Sequence, residues 1–552
     1  MAKYQGVPVI ALPERTWPSR RLERAPAFCS VDLRDGNQAL VNPMGVAQKK
    51  AFFKLLLRVG FREIEIGFPS ASQIEFDFTR MLIEEGMVPK DGVLQVLCQT
   101  RKHLVDRTVE SLHGAGRVIF HLYTSTSPAH RKYTFGMDKA QVKAMAVDGV
   151  KMLQDAMGAL QGTRLDFEFS PEYFSATETE YALEVCEAVV DEWKPDPGHK
   201  IILNLPATVE SFTPNLYADQ VEWFRRHLSR PECCIISLHT HNDRGTGVAA
   251  CELGVLAGAE RVEGTLFGNG ERTGNLDIVT MALNMMSQGI DAGLDFTDLP
   301  AIVDAFEDLT GMQVPPRHPY AGELVFTAFS GSHQDAIKKA LDAREAAGNK
   351  EAPWDVPYLL VDPRDLGRSY EAIIRINSQS GKGGVAWVLR TERGYDLPRD
   401  MRAEVGAFIN AEADRRGVEI PTEDVIRLFE GEFVDRAEPV SFIAFKETGV
   451  LAEGGSKWEL RVRIDGRERG LKGSGKGPID AAVQALQTAG YKVKVRSFHE
   501  ESLGSGSDAK AVAYLALENG KVVWGAGVDA DIAKAGVRGL LCALNRSLEH
   551  AG

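Results

Sequence analysis

Phe28-Cys29-Ser30-Val31-Asp32-Leu33-Arg34-Asp35-Gly36-Asn37-Gln38 is the stretch on which the fold turns. Phe28–Leu33 has the length and apolarity of a short buried strand, and it runs straight into charged and amide side chains. An open doubly wound sheet would place a glycine-rich turn there, so this junction speaks against that architecture. Working outward, seven more apolar runs follow the same theme: Glu63–Gly67, Val93–Cys98, Val118–Leu122, Leu165–Phe169, Ile201–Asn204, Ile235–His241 and Arg261–Gly264. Segments of helical periodicity separate them, such as Gln141–Met157, where Val142, Met145, Ala146, Leu153 and Ala156 share one face. Eight strand-helix units of roughly 30 residues each are what a closed (β/α)8 barrel needs. In such a barrel the reactive groups gather at the C-terminal ends of the strands.

Beyond about residue 300 the eightfold theme stops. The chain is expected to comprise an N-terminal arm over 1–27, the barrel over 28–300, mainly helical linker subdomains over 301–435 and a C-terminal α+β domain over 436–552. The last part carries a faint internal echo: Gly473-Ser474-Gly475 leads through Asp480 into an Ala-rich segment, and Gly525-Ala526-Gly527 leads through Asp531 into another. Two related half-units are expected there.

The chain has 552 residues, of which 44% are hydrophobic and 26% charged, values of a multidomain globular protein. Its formal charge is -13, from 64 basic and 77 acidic residues, so no chain-wide positive field draws nucleic acid or an anionic membrane. No run reaches the roughly 18 apolar residues of a membrane span. Seven cysteines without C-x-x-C spacing fit reduced thiols in a cytoplasm.

Ser237-Leu238-His239-Thr240-His241-Asn242-Asp243 closes the seventh strand. Side chains alternate along a strand, so His239 and His241 share a face and can chelate one metal ion. Asp35, at the end of the first strand, is the expected third ligand, with Arg34 beside it to orient an anionic substrate. Two nitrogens and one oxygen with positions left open suit a divalent Lewis acid acting on a carbonyl. Glu63 and Glu65 share a face of the second strand and are expected inside the barrel, paired to Arg34 or Arg101, as supporting groups. Ser170-Pro171-Glu172 and Asn204-Leu205-Pro206-Ala207-Thr208 bring hydroxyl, carboxylate and amide groups to the same mouth. The loop Gly268-Asn269-Gly270-Glu271-Arg272-Thr273-Gly274-Asn275 is not a dinucleotide fingerprint, because its third glycine comes one residue late. Its flexible backbone could still approach a cofactor.

Together, Val31–Leu40, His239–Gly247 and Gly268–Asn275 resemble the metal-dependent acyl-CoA condensing and lyase family, which is built on a (β/α)8 barrel. Four further stretches narrow the resemblance: Phe329-Ser330-Gly331-Ser332-His333-Gln334-Asp335-Ala336, Asp355-Val356-Pro357-Tyr358-Leu359, Asp362-Pro363-Arg364-Asp365-Leu366-Gly367-Arg368 and Asn377-Ser378-Gln379-Ser380-Gly381-Lys382-Gly383-Gly384. With them the chain is similar to the long-subunit 2-isopropylmalate synthase family over nearly its whole length.

The resemblance implies an acyltransferase that condenses acetyl-CoA with 3-methyl-2-oxobutanoate and hydrolyses the thioester, giving 2-isopropylmalate and CoA at the first committed step to leucine. It implies Asp35, His239 and His241 as ligands of Mg2+, Mn2+ or Zn2+, with Asn275 at or just behind them, and leaves activation by K+ open. Arg34 would polarise the keto oxygen. Glu172, His121, Ser170, Asn204 and Thr208 would line the keto-acid pocket, and Gly268, Gly270 and Glu271 would approach acetyl-CoA. His333 and Tyr358 would reach a partner subunit's site, making a homodimer with two composite centres. The methyl proton could go to Glu172 or to a water near His333 and Tyr358. Gly504-Ser505-Gly506-Ser507-Asp508-Ala509 and Trp524-Gly525-Ala526-Gly527-Val528-Asp529 resemble the family's leucine-binding inhibitory segments.

Citramalate and homocitrate synthases share the same metal triad, so the side-chain pocket must discriminate, and Leu205 and Phe167–Phe169 are its expected apolar walls. Homocitrate synthase would need a cation for the distal carboxylate. From another class, the chain could be a catalytically silent amino-acid-binding regulator.

Overall fold

The computed structural model describes residues 10–328, 331–348, 352–370, 382–418, 420–451, 454–504, 509–519 and 521–549. Parts of the quoted motifs, namely Phe329 and Ser330, Asn377 to Gly381 and Ser505 to Asp508, lie outside the described residues, as do the first nine residues of the expected arm. The chain forms two compact units, one of residues 1–325 with 340–369 and one of residues 326–339 with 370–552.

In the first unit eight parallel strands close into a barrel: β1 (Ala27–Ser30), β2 (Glu63–Gly67), β3 (Val93–Gln99), β4 (Arg117–Ser125), β5 (Arg164–Glu172), β6 (Ile201–Ala207), β7 (Cys234–Thr240) and β8 (Arg261–Gly264). β1 pairs with both β2 and β8, which is the closure. The first strand ends sooner than Phe28–Leu33, because the backbone turns into a wide helical loop over Asp32–Gly36. That turn lifts Arg34 and Asp35 onto the rim. The helix expected over Gln141–Met157 spans Lys139–Met157 and buries Val142, Ala146, Gly149, Val150 and Leu153. Gly149 permits the close approach: a side-chain carbon there would stand 2.4 Å from the Thr100 side chain.

Strand alternation sorts the side chains. Phe167 points outward and packs against Trp193 of the helix Thr179–Trp193, with ring centroids 4.6 Å apart and the rings tilted by 43°. Inside, an apolar plug of Val93, Ile119, Ile202 and Ile235 joins β3, β4, β6 and β7. The next level is charged and polar, with Glu65, Gln95, Glu168, Ser237, Arg261 and Glu263 all buried. Barrel interiors usually hold branched aliphatics, so this polar layer calls for a reason beyond packing.

In the second unit β9 (Val440–Val450), β10 (Ser456–Ile464) and β11 (Arg467–Gly475) form one antiparallel sheet, followed by the helix Pro478–Thr488. β12 (Val495–Leu503), β13 (Lys510–Asn519) and β14 (Lys521–Asp529) form another, followed by Ile532–Glu549. The two glycine pairs do the same job in each half. A side-chain carbon at Gly473 would meet Ala481 O at 2.0 Å, and one at Gly527 would meet Ala535 O at 2.3 Å, so helix lies directly on strand. The shared core runs through Val440, Leu460, Leu486, Leu515, Leu540 and Leu544. Helices Arg399–Arg416 and Thr422–Phe433 lie within the stretch 301–435 expected to be mainly helical.

Candidate active site

The mouth of the barrel holds a cavity of about 320 Å³, lined among others by Arg34, Asp35, His121, Ser170, Glu172, Asn204, Thr208, His239, His241 and Glu271. His121, Ser170, Glu172, Asn204 and His239 arrive by strand register, and the others from the turns that follow the strands. His239 is on β7 beside Glu263 of β8, and Ser170 on β5 stands one strand from His121 on β4. His241 lies just past the end of β7, where its backbone bridges to Asn275.

Asp35, His239 and His241 each offer one ligand atom, and these atoms lie within 4.8 Å of one another. His239 Nε2 is 3.0 Å from Asp35 Oδ2. Its Nδ1 is 2.9 Å from Glu263 Oε2. Burial, reinforced by His239 and Arg272, pushes His241 down to about 3, so its imidazole is neutral with a lone pair to give. His241 Nδ1 and Asn275 Oδ1 are buried without a hydrogen-bond partner. Buried polar atoms left unpaired cost free energy unless something binds them. Two imidazoles, a carboxylate and an orphaned amide oxygen fit a divalent cation.

Arg34 bonds Glu65 through Nε and Asp35 through Nη1. Glu65 is fully buried; burial raises its pKa, but Arg34 and the His121 hydrogen bond outweigh that and hold the carboxyl below its usual range. Glu63 pairs not with Arg101 but with Arg261, at 2.6 Å. The reason is register: Arg261 on β8 points inward, whereas Arg101 is exposed before the helix Lys102–Ser111.

His121 Nε2 faces Ser170 Oγ at 2.7 Å, and Asn204 Nδ2 donates to Ser170 Oγ and to Glu263 Oε2, both at 3.1 Å. Asn204 Oδ1 has no partner. The Thr208 hydroxyl accepts from Tyr173 N at 2.9 Å. Glu172 accepts from the Ser125 hydroxyl. In the loop after β8 only Glu271 and Arg272 reach the cavity lining, while Gly268 and Gly270 pack around Asn275. A side-chain carbon on Gly270 would stand 2.2 Å from Asn275 Nδ2. Tyr358, 64% exposed, is not among the cavity-lining residues, and His333 belongs to the second unit, on the helix Gly331–Ala347.

The apolar wall differs from expectation. Phe167, Phe169 and Leu205 are buried but do not line the cavity; Phe68, Leu97 and Pro206 do. Phe167 and Phe169 alternate with inward Glu168 and Ser170, so they belong to the helix-facing side. The inward groups Gln95, Glu168, Arg261 and Glu263 escape a reading of the sequence by motif, yet Arg261-Val262-Glu263 carries a signal: two charges flanking one valine within a strand.

The known relatives agree over the full chain. Residues 25–305 match the HMGL-like family model, 323–390 the alpha-isopropylmalate synthase post-catalytic domain-like model, and 419–548 the LeuA allosteric (dimerisation) domain. A 2-isopropylmalate synthase of Parafrankia sp. is 50% identical over 99% of this chain and 97% of its own length. One from Pseudomonas savastanoi pv. phaseolicola is 51% identical over 99% and 97%. Among solved structures, an HMG-CoA lyase of Bacillus subtilis matches 53% of this chain and 96% of its own, at 17% identity and a TM-score of 0.43.

Proposed function

Since the chain belongs to the 2-isopropylmalate synthase family, we propose that its barrel mouth condenses acetyl-CoA with 3-methyl-2-oxobutanoate. The observation that carries this reading is the convergence of the Asp35, His239 and His241 ligand atoms within 4.8 Å, beside Arg34. The reaction is the first committed step of leucine biosynthesis, and hydrolysis of the new thioester releases 2-isopropylmalate and CoA.

A divalent ion held by Asp35, His239 and His241, with Asn275 Oδ1 at or just behind that set, would supply Lewis-acid polarisation of the oxo acid's carbonyl. Arg34, fixed by Glu65, presents positive charge where the keto oxygen becomes an alkoxide. Ser170, His121, Asn204 and Thr208 orient the oxo acid by hydrogen bonding. Glu172 lines the cavity and accepts from the Ser125 hydroxyl, which suits its carboxylate as the base for the acetyl methyl proton, with a water near His333 and Tyr358 as the alternative. The carbanion equivalent then adds to the keto carbon. Water attacks the thioester carbonyl, and the CoA thiolate leaves and takes up a proton.

Phe68, Leu97 and Pro206 suit a branched alkyl group. Both arginines of the lining are already paired, Arg34 with Glu65 and Arg272 with Asp243. That argues against a second substrate carboxylate, and so against homocitrate synthesis. Glu271 would meet acetyl-CoA at the mouth, with Gly268 and Gly270 behind it shaping the loop around Asn275. His333 and Tyr358 act in the partner subunit's site of a homodimer, and the domain matched over 419–548 binds leucine as feedback inhibitor. The native ion is Mg2+, Mn2+ or Zn2+, with K+ as a further activator. No helix among the described residues is long and apolar enough to cross a membrane, and all seven cysteines are free and buried, which supports a cytoplasmic setting.

The test is thiol release from acetyl-CoA with a panel of 2-oxo acids. Release fastest with 3-methyl-2-oxobutanoate supports the reading; release fastest with pyruvate or 2-oxoglutarate reassigns the substrate, and release with none overturns the activity.

A further inference from the structure

The polar layer beneath the mouth is organised around one amide. Gln95, on β3 and fully buried, donates from Nε2 to Glu65 Oε2 at 2.8 Å and to Glu263 Oε1 at 2.7 Å. A primary amide has two N–H groups, so both are used. Its carbonyl oxygen accepts from Arg261 Nη2 at 2.6 Å, which fixes which end of the amide is which. Glu65 is the partner of Arg34, and Glu263 is the partner of His239. Register accounts for the first contact, because Glu65 and Gln95 are neighbours across β2 and β3. The second crosses the interior to β8. The room for it comes from β1, which offers only the small side chain of Cys29, whose Sγ lies 3.7 Å from Gln95 Oε1.

We infer that Gln95 is a positioning residue that ties the support of the metal ligand His239 to the support of Arg34, so that the two halves of the catalytic mouth are set by one buried amide. This rests on the reading of the mouth given above. Two buried carboxylates on one amide hold both Nδ1 of the histidine and Nε of the arginine in fixed directions. Neither carboxylate can shift without losing its bond to Gln95, and a lost bond in a dry interior is expensive. Such outer partners govern both ligand orientation and affinity. A side chain that merely filled space could be replaced by one of equal volume without touching either property.

The experiment uses the full-length protein and Mn2+ alone as the binding probe, followed by steady-state kinetics with acetyl-CoA and 3-methyl-2-oxobutanoate. Gln95→Met keeps the volume and removes both donors; Gln95→Asn keeps an amide too short to span both carboxylates. We expect Gln95→Met to weaken Mn2+ binding about tenfold and to lower kcat about tenfold, with KM for the oxo acid changed much less, as for outer-sphere partners generally. Gln95→Asn should fall between it and the parent, and it carries the test if Gln95→Met does not fold. Folded variants with Mn2+ affinity and kcat within about twofold of the parent overturn the inference. If parent Mn2+ binding survives His239→Ala, the underlying assignment of the metal site fails instead, and that outcome is distinct.

Discussion

His239 is held between two carboxylates: Asp35 Oδ2 lies 3.0 Å from its Nε2, and Glu263 Oε2 lies 2.9 Å from its Nδ1. Glu263 is buried and, against the cost of burial, is kept ionised mainly by Arg261, well below the ordinary carboxylate range. The ring therefore donates Nδ1–H to Glu263. The approach of its Nε2 to a carboxylate oxygen at 3.0 Å needs a cation or a proton between the two atoms.

His239→Ala should abolish stoichiometric Mn2+ binding and reduce kcat to background while the circular-dichroism spectrum stays that of the parent. The barrel is closed by backbone pairing on both sides of β7, so the fold does not depend on this ring. The lost partner leaves Glu263 less satisfied, a cost of about 1–3 kcal/mol seen as a lower Tm. Retained Mn2+ binding contradicts the ligand assignment.

Composite sites predict complementation. On the proposed shared sites, Arg34→Ala and His333→Ala subunits should each be inactive, whereas a hybrid dimer would pair one intact barrel with one intact His333. Equal mixing with free subunit exchange should restore about a quarter of the parent's sites by simple binomial pairing in a two-fold dimer. Zero recovery, with exchange demonstrated by mass or tag, removes the shared-site assignment.

Asp32 predicts a pH dependence of stability. It is buried, and burial dominates over the hydrogen bonds from Ser30 and Leu266 to raise its pKa to about 7. The folded state therefore holds a proton that the unfolded state releases near the ordinary aspartate value of 3.8. The contribution is fully present below that value and is lost as pH rises toward about 7. Asp32→Asn should flatten the fall of Tm across that window, read by calorimetry from pH 4 to pH 8. An unchanged slope contradicts a neutral Asp32.

How much of this was legible in the sequence follows from the physics of each signal. Eight apolar runs are a periodic, local signal, and all eight strands are present. His239 and His241 share a face because side chains alternate along the strand, and the bridge from His241 to Asn275 keeps that face going past the strand end. Arg34 and Asp35 were placed at the rim although β1 ends at Ser30, since the wide turn of Asp32–Gly36 delivers them there. The wall residues are not legible because Phe167 and Phe169 are apolar in either direction, and only Glu168 between them shows which face is inside. Gln95 and Arg261 were overlooked because a polar residue in a strand acquires meaning from partners far along the chain, here 166 residues apart.

In the second unit, Arg546 is almost fully buried and bonds Glu404 at 2.7 Å, Glu432 at 2.9 Å and the Trp524 carbonyl. Arg546→Ala removes one partner from each carboxylate while Glu432 keeps Arg436 and Glu404 keeps the Trp524 N–H, so it should destabilise that unit by about 1–3 kcal/mol. Calorimetry should show the loss in the transition assigned to residues 370–552, with thiol release by the barrel retained at low temperature and leucine inhibition weakened. An unchanged melting profile contradicts the network's structural role.

The most direct measurement is thiol release with 3-methyl-2-oxobutanoate in the parent and in His241→Ala, after exhaustive chelation and again after adding back Mg2+, Mn2+ or Zn2+. The account predicts that chelation silences the parent, that a divalent ion restores it, and that His241→Ala stays silent throughout. Thiol release by the parent at an undiminished rate with every divalent ion removed would contradict it.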